Sequence, residues 1–202
     1  MNKNWEIERF KIGFQYVLMI AASLVMGWLL PSFAGNSVTQ NHIKILEQHF
    51  SLPFASLSSH TDIAAYILGF SLPTLLCVAA IFVFSFSSLV CLVSDGTLIF
   101  LGMRTGYTTS LLFFVLRNSA TDTAIGWGHF LLVLLFRSIL LIVITFYAFR
   151  ATEYSYRMRR YTAIGRASPQ PATVLLLLGY TLLISLLLFA LHAAYCGLIY
   201  VL

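Results

Sequence analysis

The sequence predicts an all-α fold, a polytopic bundle of about five transmembrane helices with its N-terminus inside and its C-terminus outside. Three observations predict it. Of 202 residues, 59% are hydrophobic and only 9% are charged, against about 25% charged in an ordinary soluble domain. The apolar residues gather in charge-free runs of span length. The basic residues concentrate before the first run and in 150–166, as the positive-inside rule asks of cytoplasmic flanks. This composition excludes most soluble enzymes, disordered tails and nucleic-acid-binding domains. The net charge of +5 is too small and too scattered for a nucleic-acid footprint. Residues 1–202 read as one transmembrane domain, with membrane lipids as its first partners.

Crossing a core of about 30 Å takes roughly 20 apolar residues in a helix. The first charge-free run starts at Ile12 and stays apolar to Phe33, giving a span over 12–33. Ser32-Phe33-Ala34 has the small-x-small form of a signal-peptide cleavage site. The run is span-length, however, and its flank carries Glu6 and Glu8, so a retained span is expected. The second run, Ile63 to Ser94, would be about 48 Å long as one helix. It must tilt, kink at Pro73 or break near Ser85–Ser88, and the span is placed at 64–86. The third span, 96–116, contains Arg104, and a re-entrant segment is the alternative. The fourth, 125–149, contains Arg137. The fifth, 171–195, lies in the charge-free stretch entered through Pro169 and Pro171.

Parity selects among these readings. The N-terminal flank carries Lys3, Arg9 and Lys11 against Glu6 and Glu8. The basic inner loop 150–166 carries Arg150, Arg157, Arg159, Arg160 and Arg166 against Glu153. If both are cytoplasmic, an even number of crossings separates them. Four spans satisfy this, and the fifth then exits. A re-entrant 96–116 leaves three and puts the most basic loop outside.

The outer amphipathic segment is 34–62. Thr39 or Asn41 can cap a helix running to about Phe50, with Ile43, Leu46 and Phe50 on one face and Lys44, Glu47 and Gln48 turned away. Such a helix lies on the membrane or on the other spans, either docking a partner or covering the bundle mouth. His42 and His49 share a face but form no tight metal motif, so neither metal nor cofactor is expected. On the inner side, Glu153 and Arg157 are spaced to extend a helix. Arg150, Arg157, Arg159 and Arg160 suit anionic inner-leaflet lipids, each contributing about 1 kcal/mol. The plainer reading of that loop is a stop-transfer flank, and the other is a cytoplasmic partner site.

Inside the bilayer, Arg137 stands out. It lies about 20 Å along the helix from Arg150, and a central Arg costs roughly 3 kcal/mol on insertion scales. It should face the bundle and find a carboxylate, with Asp95 and Asp122 as candidates. Arg104 joins Asp95 or snorkels outward. Asp95, Arg104 and Arg137 thus form an expected intramembrane polar cluster, either a register-fixing ion pair or a conducting or substrate-binding path. Gly102 and Gly106 make a GxxxG, with Gly96 upstream. Small residues let helices approach closely in lipid, which places the third span centrally. Cys77, Cys91 and Cys196 lie in apolar runs and read as free. No phosphate-binding loop, GxSxG elbow, HExxH or paired intramembrane carboxylates occur, so a non-enzymatic role is expected.

Several stretches together carry a likeness. There is a lone N-terminal span, then the outer segment from Val38-Thr39-Gln40 through Glu47-Gln48-His49-Phe50. Ile67-Leu68-Gly69-Phe70-Ser71-Leu72-Pro73 opens the second span, and Gly96, Gly102 and Gly106 mark the third. Phe130–Phe149 runs into Arg150 to Arg160 and a final apolar helix. From about residue 12 to the end, this layout resembles the stage II sporulation protein M family of membrane proteins. It departs where the fourth span begins: the family tends to carry a Pro or a His-Gly/Glu-type polar motif, and this chain reads Gly126-Trp127-Gly128-His129 and then Arg137-Ser138. The resemblance implies a scaffold in the bacterial cytoplasmic membrane that holds peptidoglycan-degrading cell-wall hydrolases at the outer face during spore engulfment. Ile43, Leu46 and Phe50 would be its contact surface. The competing reading is a small transporter or membrane permease subunit in which Arg137 and Asp95 line a wet path. Five unequal spans show no internal repeat, and a homo-oligomer would supply the missing symmetry.

Overall fold

A backbone in hydrocarbon must satisfy its own hydrogen bonds, so the Leu-, Ile- and Phe-rich runs become helices. The structure, a computed structural model, describes residues 3–33, 39–44, 60–118, 126–163 and 171–201. Among the described residues are five long helices: α1 (Lys3–Phe33), α2 (His60–Phe84), α3 (Val90–Asn118), α4 (Trp127–Ala163) and α5 (Pro171–Val201). A short helical stretch occupies 39–44, and no strand occurs among the described residues. α1, α3, α4 and α5 are long and apolar enough to cross a membrane, and α2 contributes a shorter apolar stretch, Ser71–Phe84.

The long second run breaks at its serines. Ser85 N–H donates to the carbonyls of Ile81 (2.9 Å) and Phe82 (3.1 Å), and Ser87 N–H donates to Phe84 O at 2.9 Å. The Ser85 hydroxyl donates to Phe82 O at 2.6 Å, and Ser87 Oγ accepts the Leu89 N–H at 3.0 Å. Serine side chains thus take over backbone bonds that a continuing helix would have made. Pro73 stays inside α2 without ending it. The third span accordingly begins at Val90, six residues before the expected 96, and Asp95 lies within it. The expected inner loop 150–166 is also largely helix, because α4 continues to Ala163. Its continuation is held by Glu153, which pairs with Arg150 (3.0 Å) and Arg157 (2.7 Å) one turn to either side.

Neighbouring helices show their directions through the residues they pair. Gln15 meets Asp95 at 3.2 Å. Ser23 lies against Gly102, and Gly27 against Gly106. The sequence offset is the same to within a residue, so α1 and α3 run parallel and in register. α4 runs against α3, since Ser155 Oγ donates to Ser87 O (3.0 Å) at one end while Phe113 meets Phe130 (6.4 Å between ring centroids) at the other. α5 runs against α4 through Tyr147–Thr181 (2.8 Å) and the stacked Phe136–Tyr195 rings (4.3 Å).

The α1–α3 seam is built on small residues. A Cβ at Gly102 would collide with Ser23, one at Gly106 with the backbone of Leu24, and one at Gly27 with the backbone of Met103. Gly96 has open space in its place. The GxxxG therefore packs as its spacing predicts, and Gly96 takes no part. Ile81, Leu98, Leu112, Ile144 and Leu188 form the dry centre. On α5, Leu175, Leu182 and Leu186 are 58–70% exposed, a surface suited to lipid tails.

Candidate functional site

Four helices converge on a polar cleft. α2 supplies Thr74, α3 supplies Arg104 and Thr105, α4 supplies Arg137, and α5 supplies His192, with Leu101, Phe136 and Leu140 as its apolar walls. Thr74, Thr105 and His192 are each less than a tenth exposed. The free volume is about 20 Å³, enough for one or two water-sized groups.

Local bonding fixes the lining. Thr105 Oγ1 donates to Leu101 O at 2.7 Å, so its remaining lone pairs are what it offers the cleft. His192 Nδ1 lies 2.7 Å from Leu188 O. A carbonyl only accepts, so the proton sits on Nδ1. Phe136 meets the His192 ring edge-on at 5.0 Å and holds its plane.

The electrostatics are one-sided. Arg104 and Arg137 are within repulsive reach of each other, and both act on His192. No Asp or Glu lines the cleft. Among the described residues, the ion pairs are those of Glu153, and neither Arg104 nor Arg137 is in one. Two desolvated guanidinium groups facing one space favour a negative group between them.

Asp95 is elsewhere. It lies nine residues before Arg104 on α3, roughly 14 Å toward the N-terminal end of that helix at 1.5 Å per residue. Its Oδ2 accepts from Gln15 Nε2. The expected cluster of three is therefore two sites: Arg104 and Arg137 come together, and Asp95 joins α1. Asp122 lies outside the described residues. Around Asp95, the Tyr16 hydroxyl and Thr152 Oγ1 are 2.6 Å apart and buried, and Tyr16 also faces Ser94.

The segment 34–62, expected to lie outside, is described only at 39–44. Ile43 is partly buried and packs against the core. His42 Nδ1 contacts the Tyr107 hydroxyl, with the rings edge-to-face at 5.6 Å. Leu46 and Phe50 lie outside the described residues. Arg150 and Arg157 are spoken for by Glu153, and Arg150 also lies over the Phe146 ring. Arg159 is exposed on α4. Arg160 lies in α4, with its side chain outside the described set. Among the described residues, no group of three metal-ligating side chains occurs, and Cys77, Cys91 and Cys196 are free.

Sequence reasoning missed His192, Thr74 and Phe136. His192 had a signal, as the one histidine in the charge-free run from Ala167 to the end. Thr74 and Phe136 had none, because their role depends on which faces meet. In comparisons with known proteins, no family model, no curated protein and no solved structure matches the chain.

Proposed function

We propose that this chain is a multi-pass protein of the bacterial cytoplasmic membrane that holds a small anion within the bilayer, as a transporter or the membrane subunit of one. Five crossings with the N-terminus inside are part of the proposal. The basic flanks at both predicted inner ends and the relative directions of α1, α3, α4 and α5 support them.

One observation carries the reading: Arg104 and Arg137 line one cleft whose walls include no carboxylate. A buried cation without a partner is expensive, and an intramembrane Arg that faces the bundle marks a substrate or ion path before it marks a structural pair. The cleft's volume suits a halide, or one end of a nitrate or formate, better than a fully enclosed tetrahedral oxyanion. The scaffold reading that the family resemblance implies rests on Ile43, Leu46 and Phe50. Of these only Ile43 is described, and it faces the bundle, so the cleft is the better-supported basis.

The test uses purified protein reconstituted in liposomes, with radiolabelled chloride, nitrate and formate as probes. Saturable binding or flux of at least one anion is expected, reduced about tenfold or more by Arg137→Leu. Equal uptake by protein-free liposomes, or full activity in a folded Arg137→Leu protein, would refute the reading.

A further inference from the structure

A second site lies at the inner end of the bundle, and its chemistry is the opposite of the cleft's. The in-register α1–α3 packing sets Gln15 on Asp95 and Tyr16 against Ser94. α4, running the other way, brings Thr152 to the same place. Tyr16, Ser94 and Thr152 are each at most 2% exposed. Three helices thus gather one carboxylate and three hydroxyls.

The hydrogen bonding there is incomplete in a particular way. Asp95 Oδ2 has Gln15. Asp95 Oδ1 and the Ser94 hydroxyl are both buried and, among the described residues, neither makes a hydrogen bond of good geometry, the Ser94 hydroxyl facing that of Tyr16. Tyr16 and Thr152 share one hydrogen bond, which leaves lone pairs on both oxygens. No described Lys or Arg pairs with Asp95. Buried polar atoms are almost always satisfied, and a set of unsatisfied ones calls for an explanation such as an ion. Here every candidate ligand atom is an oxygen, and most can only accept or rotate to accept.

We infer that Asp95, Ser94, Tyr16 and Thr152 form a binding site for an alkali-metal cation. Hard oxygen donors without His or thiolate suit a hard cation over a transition metal. A single carboxylate balances one positive charge, whereas calcium and magnesium sites use more carboxylates or keep several waters. Bound there, the cation cancels the one acidic charge on this face of α3 and occupies the two oxygens that otherwise lack a hydrogen bond of good geometry. The site stands independently of the anion reading. If both hold, α3 carries a cation site and an anion site on one rigid rod, a plain geometry for coupling the movement of one ion to the other.

The test is thermal unfolding of the full purified chain in detergent at fixed pH and fixed chloride, with sodium, potassium or choline as the cation. Because chloride is constant, occupancy of the cleft does not change, and failure here leaves the anion reading untouched. Sodium or potassium should raise the midpoint saturably over choline, by about 5 °C at saturation. Asp95→Asn should abolish that dependence. Ser94→Ala keeps the carboxylate and should raise the half-saturating concentration about fivefold. Identical midpoints in all three cations overturn the inference. So does an undiminished response in Asp95→Asn. So does a midpoint that follows pH but not alkali cation, since that outcome assigns the unsatisfied oxygen to a proton.

Discussion

Arg104 of α3 and Arg137 of α4 line one cleft and repel each other, with no carboxylate beside them among the described residues. A pair of like charges so placed opposes folding unless an anion joins them. Arg137→Met should therefore raise the unfolding free energy by about 1 to 3 kcal/mol in low-chloride buffer while abolishing anion binding. Near-saturating chloride should narrow the gap, because it stabilises only the wild type. Denaturant titration at two chloride concentrations measures both effects. A variant less stable than wild type under both conditions counts against a repulsive pair.

The α1–α3 seam distinguishes glycines of identical chemistry. Gly102→Val pushes side-chain atoms into Ser23 and should cost about 2 to 3 kcal/mol as overpacking. Gly96→Ala meets nothing within 4 Å and should be neutral or gain roughly 0.5 to 1 kcal/mol from helix propensity. Equal costs at the two positions would contradict the register described above.

The Tyr16–Thr152 bond joins the first helix to the fourth, at 2.6 Å. In a double-mutant cycle, Tyr16→Phe and Thr152→Val should show a coupling of about 1 kcal/mol. Thermal unfolding of the four proteins provides the cycle. A coupling indistinguishable from zero means that the two hydroxyls act separately.

The α2–α3 turn tests orientation. Ser88 is exposed between the two helices. In a background lacking Cys77, Cys91 and Cys196, Ser88→Cys should react with a membrane-impermeant maleimide in inside-out vesicles and not in right-side-out ones. The reverse pattern would invert the proposed topology.

Composition and periodicity made the helical fold legible, because a chain so poor in charge has few other ways to satisfy its backbone. Gly102 and Gly106 could be read because close packing in lipid leaves a spacing signature. Their partners Ser23 and Gly27 carry the matching small-xxx-small spacing on α1, but that spacing does not name the helix it meets. Arg104 and Arg137 were visible as costly residues. What they face was not: Asp95 is the nearest acid in sequence to Arg104, yet the α1–α3 register commits it to Gln15. The break before α3 near Ser85–Ser88 was one of three options for the overlong second run, beside a tilt and a kink at Pro73. The Ser85 and Ser87 side chains end one helix with hydrogen bonds that a hydropathy profile does not register.

The small-residue seam also bears on the order in which the protein assembles. α1 leaves the ribosome long before α3, so the face carrying Ser23 and Gly27 first meets lipid alone. That exposure is inexpensive, because acyl chains cover such a face about as well as protein does. The seam can close only when α3 arrives. On the proposed topology α1 would thus enter the bilayer before the helix it docks on. A lesion at Gly102 should then leave insertion intact and leave α1 undocked, so that the defect appears as a membrane-embedded but protease-sensitive chain.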